Sequence, residues 1–164
     1  MPADQPPRGK IILDEEVIAD APLIVRRYVK WGEIDFARVA YTGKFLDYML
    51  EATETWFKHV TGEHWTTFDI RTDLSVPVVG CAMNFHVALH PDDRLDITVL
   101  LDHIGRSSHK LSVEGHNQHG VLCFEGNITY AAIDPNTSQS VAMPEDLRSK
   151  MVIYKTACEA AAKA

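Results

Sequence analysis

Hydrophobic residues along this chain keep two different periods, and the changes between them mark out its elements. From Gly43 to Thr61 the period is helical. Phe45, Met49, Ala52, Trp56 and Val60 recur three or four apart, and Leu46, Leu50, Thr53 and Phe57 widen the stripe. Lys44, Asp47, Glu51, Glu54, Lys58 and His59 fall opposite it or on its borders. Thr42 is placed to cap the helix start, and Gly62 to end it as a left-handed residue. The helix would run roughly 28 Å. A stripe this wide predicts burial on most of its girth.

The other segments alternate with period two. Leu23 to Trp31 reads as a half-buried strand, with Leu23, Val25, Val29 and Trp31 on one face and Arg27 interrupting it. Leu74 to Leu89 is a long alternation carrying Pro77, Val79, Cys81, Met83, Phe85, Val87 and Leu89. Gly80 within it marks a bulge or bend. Leu95 to Ile104, Leu111 to Gly115 and Val121 to Ile133 alternate again. The breaks fall at His90-Pro91-Asp92-Asp93, Gly105-Arg106-Ser107 and Asn117-Gln118-His119-Gly120. A last helix starts at Pro144-Glu145-Asp146 and spaces Leu147, Met151, Tyr154 and Cys158 along one side. Residues 11–22 fit either an edge strand or a short helix, and the Pro-rich residues 1–10 read as disordered. Short turns between strands imply antiparallel pairing. The predicted fold is therefore α+β: a curved antiparallel sheet of five to six strands wrapped around one long central helix. Residues 1–22 form an N-terminal extension and 23–164 a single domain.

Composition narrows the function classes. At 46% hydrophobic and 24% charged, the chain is of ordinary globular type. No apolar run approaches the roughly 20 residues of a membrane span, and the N-terminus lacks the order of a signal peptide, so no membrane is expected and the cytoplasm is the expected location. A net charge of −7 argues against nucleic acid as a partner. Arg94, Arg106 and Lys110 still offer a local basic patch for a small anion. Cys81, Cys123 and Cys158 are too far apart for a zinc or disulfide framework, and Cys81 and Cys123 are expected as buried thiols. The eight histidines form no HExxH motif, and Ser107-Ser108 lacks a GxSxG context, so neither metal nor a serine nucleophile is expected.

Several stretches carry a resemblance. Trp31-Gly32-Glu33-Ile34-Asp35, then Phe36-Ala37-Arg38 and Val39-Ala40-Tyr41, lead into the helix. Downstream stand His90-Pro91-Asp92-Asp93-Arg94-Leu95, Ile104-Gly105-Arg106-Ser107-Ser108, Ala131-Ala132-Ile133-Asp134 and Met143-Pro144-Glu145-Asp146-Leu147-Arg148. Over roughly residues 24 to 150 the chain resembles the hot-dog-fold thioesterases of the 4-hydroxybenzoyl-CoA thioesterase type. The resemblance implies hydrolysis of an acyl-CoA thioester without a cofactor. It carries the catalytic role to Asp35 and to the helix start at Tyr41 and Thr42, with the Thr42 backbone N–H polarising the thioester carbonyl. It places CoA phosphate contacts at Arg106 and Ser107. Substrate walls are expected from Trp31, Tyr41, Phe45, Trp65 and residues near Val78, partly across a dimer interface. It also implies a homodimer or homotetramer with sites at subunit interfaces. Two residues depart from the family pattern: Phe36 stands where Pro is usual, and Arg38 where Gly is usual.

Thioester hydrolysis needs a base or nucleophile at the carbonyl carbon and a donor at its oxygen. Asp35 could attack directly or activate water, and N–H groups at a helix start could meet the oxyanion. Read alone, Asp35 could equally be a loop residue making an Asx turn. Arg38 could hold Asp35 ionised, or pair with it and blunt it. Glu33 reads as a structural partner; Asp47 and Glu51 are lesser carboxylate candidates. An acyl-thioester dehydratase would want an Asp–His pair, and no His lies between Asp35 and Lys58. A non-catalytic module that binds acyl-CoA or only oligomerises is the other alternative.

Overall fold

The structure, a computed structural model, describes residues 15–163; the expectation of disorder over 1–10 lies outside them. Six strands make one antiparallel sheet: β1 (Glu16–Asp20), β2 (Leu23–Tyr28), β3 (Val78–Phe85), β4 (Arg94–Ile104), β5 (Ser108–Asn117) and β6 (Leu122–Ala131). Their spatial order is β1-β2-β4-β5-β6-β3. Of the two readings of residues 11–22, the edge strand holds for Glu16–Asp20, which pairs with β2. The α+β architecture expected from the alternating pattern is the one observed.

The long helix α1 (Thr42–Thr61) lies against the sheet and buries Phe45, Tyr48, Met49, Ala52, Thr53, Trp56, Phe57 and Thr61. Its buried stripe is narrower than its periodicity suggests. Leu46 is exposed and Leu50 half-buried, because the sheet covers only one side of the helix. Gly62 ends it at φ 78°, with its N–H bonded to the Lys58 carbonyl. Facing it, Leu95, Ile97, Val99 and Leu101 of β4 and His109, Leu111 and Val113 of β5 are buried. Each large apolar side chain so buried contributes about 1.5–3 kcal/mol. A second helix, α2 (Trp65–Thr72), was not predicted. It buries only Phe68, so its eight residues carry almost no helical period.

The final helix, α3 (Glu145–Ala161), buries Leu147, Met151, Tyr154 and Cys158, the four residues that spacing assigned to one side. Polar groups fasten it. The Tyr154 hydroxyl donates to the Val99 carbonyl at 2.6 Å and accepts the Leu23 N–H at 2.8 Å. Lys150 reaches the Thr61 carbonyl at 2.7 Å and Lys155 the Asp102 carbonyl at 2.8 Å. Arg148 bonds the Gly105 carbonyl.

Among the described residues β3 is an outer strand, paired only with β6, and its register slips between Val78 and Gly80 as the bulge predicts. Its side chains are mostly exposed, Cys81 among them, which corrects the expectation of a buried thiol there; Cys123 is buried. The alternation that marks a strand does not tell whether anything covers it.

The strand registers define two ends of the sheet. Tyr28, Arg94 and Phe85 lie at one end with the start of α1; Leu23, Ile104, Ser108 and Val78 lie at the other. At about 3.3 Å per residue, the length of β4 separates them by roughly 33 Å.

Candidate active site

The candidate site is built where β2 hands over to α1. The strand stops at Tyr28, three residues sooner than alternation suggests. Val29 remains buried, but Trp31 starts a single 3-10 turn, Trp31–Glu33, and is 85% exposed rather than sheet-facing. The segment from Glu33 to Tyr41 then folds into a small closed loop. Tyr41 N–H donates to the Glu33 carbonyl at 2.9 Å, Asp35 N–H to the Val39 carbonyl at 3.0 Å, and Arg38 N–H to the Asp35 carbonyl at 3.0 Å. Ala40 N–H ties the loop to Leu89 at 2.8 Å.

Asp35 is half-buried in this loop, and its Oδ1 accepts the Ala37 N–H at 2.7 Å, an Asx turn. Arg38 sits at φ 67°, in the left-handed region where the family pattern carries Gly. Among the described residues its guanidinium makes no ion pair with Asp35; only its backbone N–H touches that residue. Phe36, freed of the usual proline ring, points wholly into solvent.

Thr42 is not the cap. Tyr41 is the N-cap, at φ −58° and ψ 134°, so Thr42 is the first helical residue. The cap slips back because the Tyr41 N–H is consumed by Glu33 while its carbonyl accepts the Lys44 N–H at 2.8 Å. The Tyr41 ring folds over Gly43, where an added Cβ would stand 2.7 Å from a ring carbon. Among the described residues no acceptor meets the Thr42 or Gly43 N–H. These are unspent donors at the positive end of a twenty-residue helix.

Beside them opens a cleft of about 250 Å³, lined by Val39, Ala40, Thr42, Phe45, Phe85, His86, Val87 and Ala88. Phe45, expected as a substrate wall, is largely core: it packs on Tyr48, Phe85 and Phe124 and shows only its edge. Tyr41 is 58% exposed and Phe85 51%.

Glu33 anchors the loop. Its carboxylate accepts Arg27 Nη2 at 2.5 Å, the Tyr48 hydroxyl at 2.9 Å and the Lys30 N–H at 2.8 Å. Arg27 also binds Glu51 at 2.5 Å and lies 4.0 Å above the Tyr48 ring. Burial and the neighbouring Glu33 carboxylate push the Tyr48 phenol upward, so it stays a donor. Of the lesser carboxylate candidates, Glu51 is thus paired with Arg27 and Asp47 with Lys44 at 2.8 Å.

The sequence-predicted residues do not all converge. Asp35, Tyr41, Thr42, Phe45 and Trp31 gather at the start of α1. Arg106 and Ser107 lie in the β4–β5 turn, at the opposite end of the sheet. There Ser107 carbonyl accepts the Ala132 N–H at 2.7 Å and Arg106 carbonyl the Met143 N–H at 2.9 Å, while the Arg106 side chain is exposed.

Residues 29–151 match the profile of the Thioesterase-like superfamily. The chain belongs to that superfamily. Thioester hydrolysis is accordingly its reaction class. A 1,4-dihydroxy-2-naphthoyl-CoA hydrolase of Prochlorococcus marinus (strain NATL2A) is 27% identical over 134 residues, covering 76% of this chain and 84% of that protein. A solved thioesterase-superfamily structure from Jannaschia sp. CCS1 is 26% identical at a TM-score of 0.74, covering 82% and 94% of the two chains. A Staphylococcus aureus protein solved in complex with CoA shares the fold at a TM-score of 0.76 and 12% identity, covering 81% and 83%. The hot-dog fold is thus established for this superfamily member.

Proposed function

We propose that the protein hydrolyses an aromatic acyl-CoA thioester to the free acid and CoA. The observation that carries this reading is one junction. The loop that carries the Asp35 carboxylate walls an apolar cleft with Val39 and Ala40, and Thr42, whose helix-start N–H is unspent, lines the same cleft. The thioester carbonyl oxygen would point at the Thr42 N–H, where charge develops in the transition state and the donor needs no reorganisation. Asp35 would act from the carbon side, by direct attack or through a water it deprotonates. The exposed rings of Trp31, Phe36, Tyr41 and Phe85 favour a flat acyl group, and the relatives' named substrate is a bicyclic aryl-CoA.

The phosphate end of CoA is assigned to Arg106 and Ser107, but of a second copy. The outer edge of β3, unpaired among the described residues, would pair with its two-fold mate. Antiparallel self-pairing would lay the Val78 end of one chain along the Phe85 end of the other. That reversal would bring one chain's β4–β5 turn toward the other's Asp35. A homodimer, alone or doubled, is therefore part of the proposal.

The test is thiol release from a panel of aryl-, short-, medium- and long-chain acyl-CoAs, with Asp35→Asn alongside. Asn keeps the Asx turn to Ala37 and so preserves the loop. The variant should lose about 10²- to 10⁴-fold in kcat and keep its affinity for CoA. Full turnover in Asp35→Asn would remove Asp35 from the chemistry; an aliphatic preference would overturn the aromatic assignment.

A further inference from the structure

Arg27 looks misplaced in the sequence, a cation in the middle of an apolar strand face. In the structure it is 4% exposed, and it points toward the loop that carries Asp35. A buried guanidinium is costly unless its donors are matched. Nη2 meets Glu33 and Nη1 meets Glu51, each at 2.5 Å, with Glu15 3.7 Å from Nη1 and the Tyr48 ring beneath at 4.0 Å; Nε has no partner among the described residues. Glu33 is fully used. One oxygen takes Arg27; the other takes the Tyr48 hydroxyl and the Lys30 N–H.

The backbone of Glu33 matters as much as its side chain. Its carbonyl accepts the N–H of Tyr41, the cap of α1, and two residues later Asp35 closes the loop through Val39. Glu33 is therefore the point where β2, the Asp35 loop and the start of α1 are joined. It is held from one side by the strand, through Arg27, and from the other by the helix, through Tyr48.

We infer that Arg27, acting through Glu33, is a positioning residue: it sets the Asp35 carboxylate against the Thr42 and Gly43 N–H groups and so acts on kcat rather than on substrate binding. The inference rests on the thioesterase reading for its catalytic half. Its mechanical half concerns the loop alone. Arg27 is not among the residues that line the cleft. Because the fork of Arg27 meets two carboxylates at once, Lys can satisfy only part of the arrangement.

The experiment compares Arg27→Gln, Arg27→Lys and Tyr48→Phe with the wild type, and uses Arg26→Gln as control. Arg26 is the neighbouring residue, engaged with Asp96 at 2.7 and 2.8 Å. Tyr48→Phe removes one hydroxyl and keeps the ring, so it folds even where Arg27→Gln does not. Amide hydrogen exchange at Asp35 and Tyr41 reads the clamp, and steady-state kinetics on the best aryl-CoA reads its consequence. Arg27→Gln should free both amides and lower kcat by about 10²-fold, the scale set by a misplacement of about 1 Å, with KM nearly unchanged. Tyr48→Phe should lose about tenfold, Arg27→Lys should recover part of the Arg27→Gln loss, and Arg26→Gln should match the wild type.

Protected Asp35 and Tyr41 amides in both Tyr48→Phe and Arg27→Gln would overturn the clamp whatever the turnover. Freed amides with unchanged kcat, or a loss carried in KM, would overturn the positioning role. A wild type that turns over no CoA ester would instead overturn the thioesterase reading and the catalytic half with it, while exchange still decides the clamp.

Discussion

The two ends of the sheet receive the same kind of residue and treat it in opposite ways. At the end holding the β4–β5 turn, aromatic rings close on one another. Trp65 stacks on Phe57 with centroids 3.4 Å apart and on Tyr130 at 5.5 Å. His109 stacks on Tyr130 at 5.3 Å and lies 5.6 Å from Trp56. Trp56, Phe57, Phe68 and His109 are buried. At the Asp35 end, Trp31, Phe36, Tyr41 and Phe85 are exposed, and Phe85 lines a cleft. One end packs its rings on one another, with a cleft of about 380 Å³ beside Trp65 and Tyr130, and the other leaves its rings exposed. Aromatic content by itself does not distinguish core from site; what distinguishes them is whether the flat faces of the rings already have partners.

The contrast can be broken by truncation. Trp56→Ala should cost about 3–5 kcal/mol of stability in urea unfolding, because the surrounding rings cannot collapse into the gap. A loss below about 1 kcal/mol would mean the closed end is loosely packed.

Acid provides a second, smaller lever. Neither ring nitrogen of His109 has a partner among the described residues, and burial pushes its pKa from 6.5 down to about 4. The unfolded chain therefore binds the proton more readily. At pH 7 the imidazole is neutral in both states and the difference costs nothing. As pH falls from about 6.5 toward about 4, the folded state loses stability, by about 3 kcal/mol in all. His109→Phe keeps a ring in the stack and removes that acid limb, so its unfolding free energy should fall less between pH 7 and pH 4 than the wild type's. An equal fall would place the acid sensitivity elsewhere.

The smallest stability effect belongs to the open end. Phe36→Ala should change unfolding by no more than about 0.5 kcal/mol, since nothing among the described residues packs on the ring. Its turnover on aryl-CoA should still fall. Stability lost without any change in turnover would place Phe36 with the closed end.

Most of the fold was legible because periodicity reports burial. Leu147, Met151, Tyr154 and Cys158 gave the buried side of α3, and the bulge at Gly80 was visible as a glycine within an alternating run. What escaped has physical reasons. α2 buries one residue, which leaves no period to read. The exposure of Cys81 depends on β3 being outermost, a property of strand order rather than of any local pattern. Trp31 fits the alternation before it, but the backbone has already left the strand. At the site, Asp35 and the helix start were found through a motif. Arg27 read as a defect, because its partners Glu33 and Glu51 lie 6 and 24 positions along the chain. The distance between Arg106 and Asp35 was invisible for the same reason: only the strand registers show that a motif and its counterpart occupy opposite ends.

The way α3 is fastened has a practical side for anyone altering this protein. Lys150, Arg148 and Lys155 all grip backbone carbonyls, at Thr61, Gly105 and Asp102. A carbonyl is present whatever side chain its residue carries. The obligation is therefore one-sided: the cations must be kept, while these bonds themselves ask nothing of the side chains at the positions they hold. Arg106 can be exchanged for another residue, and the turn bearing it will still be grasped by Arg148. A change in CoA affinity in Arg106→Ala can then be assigned to the missing guanidinium rather than to a loosened turn.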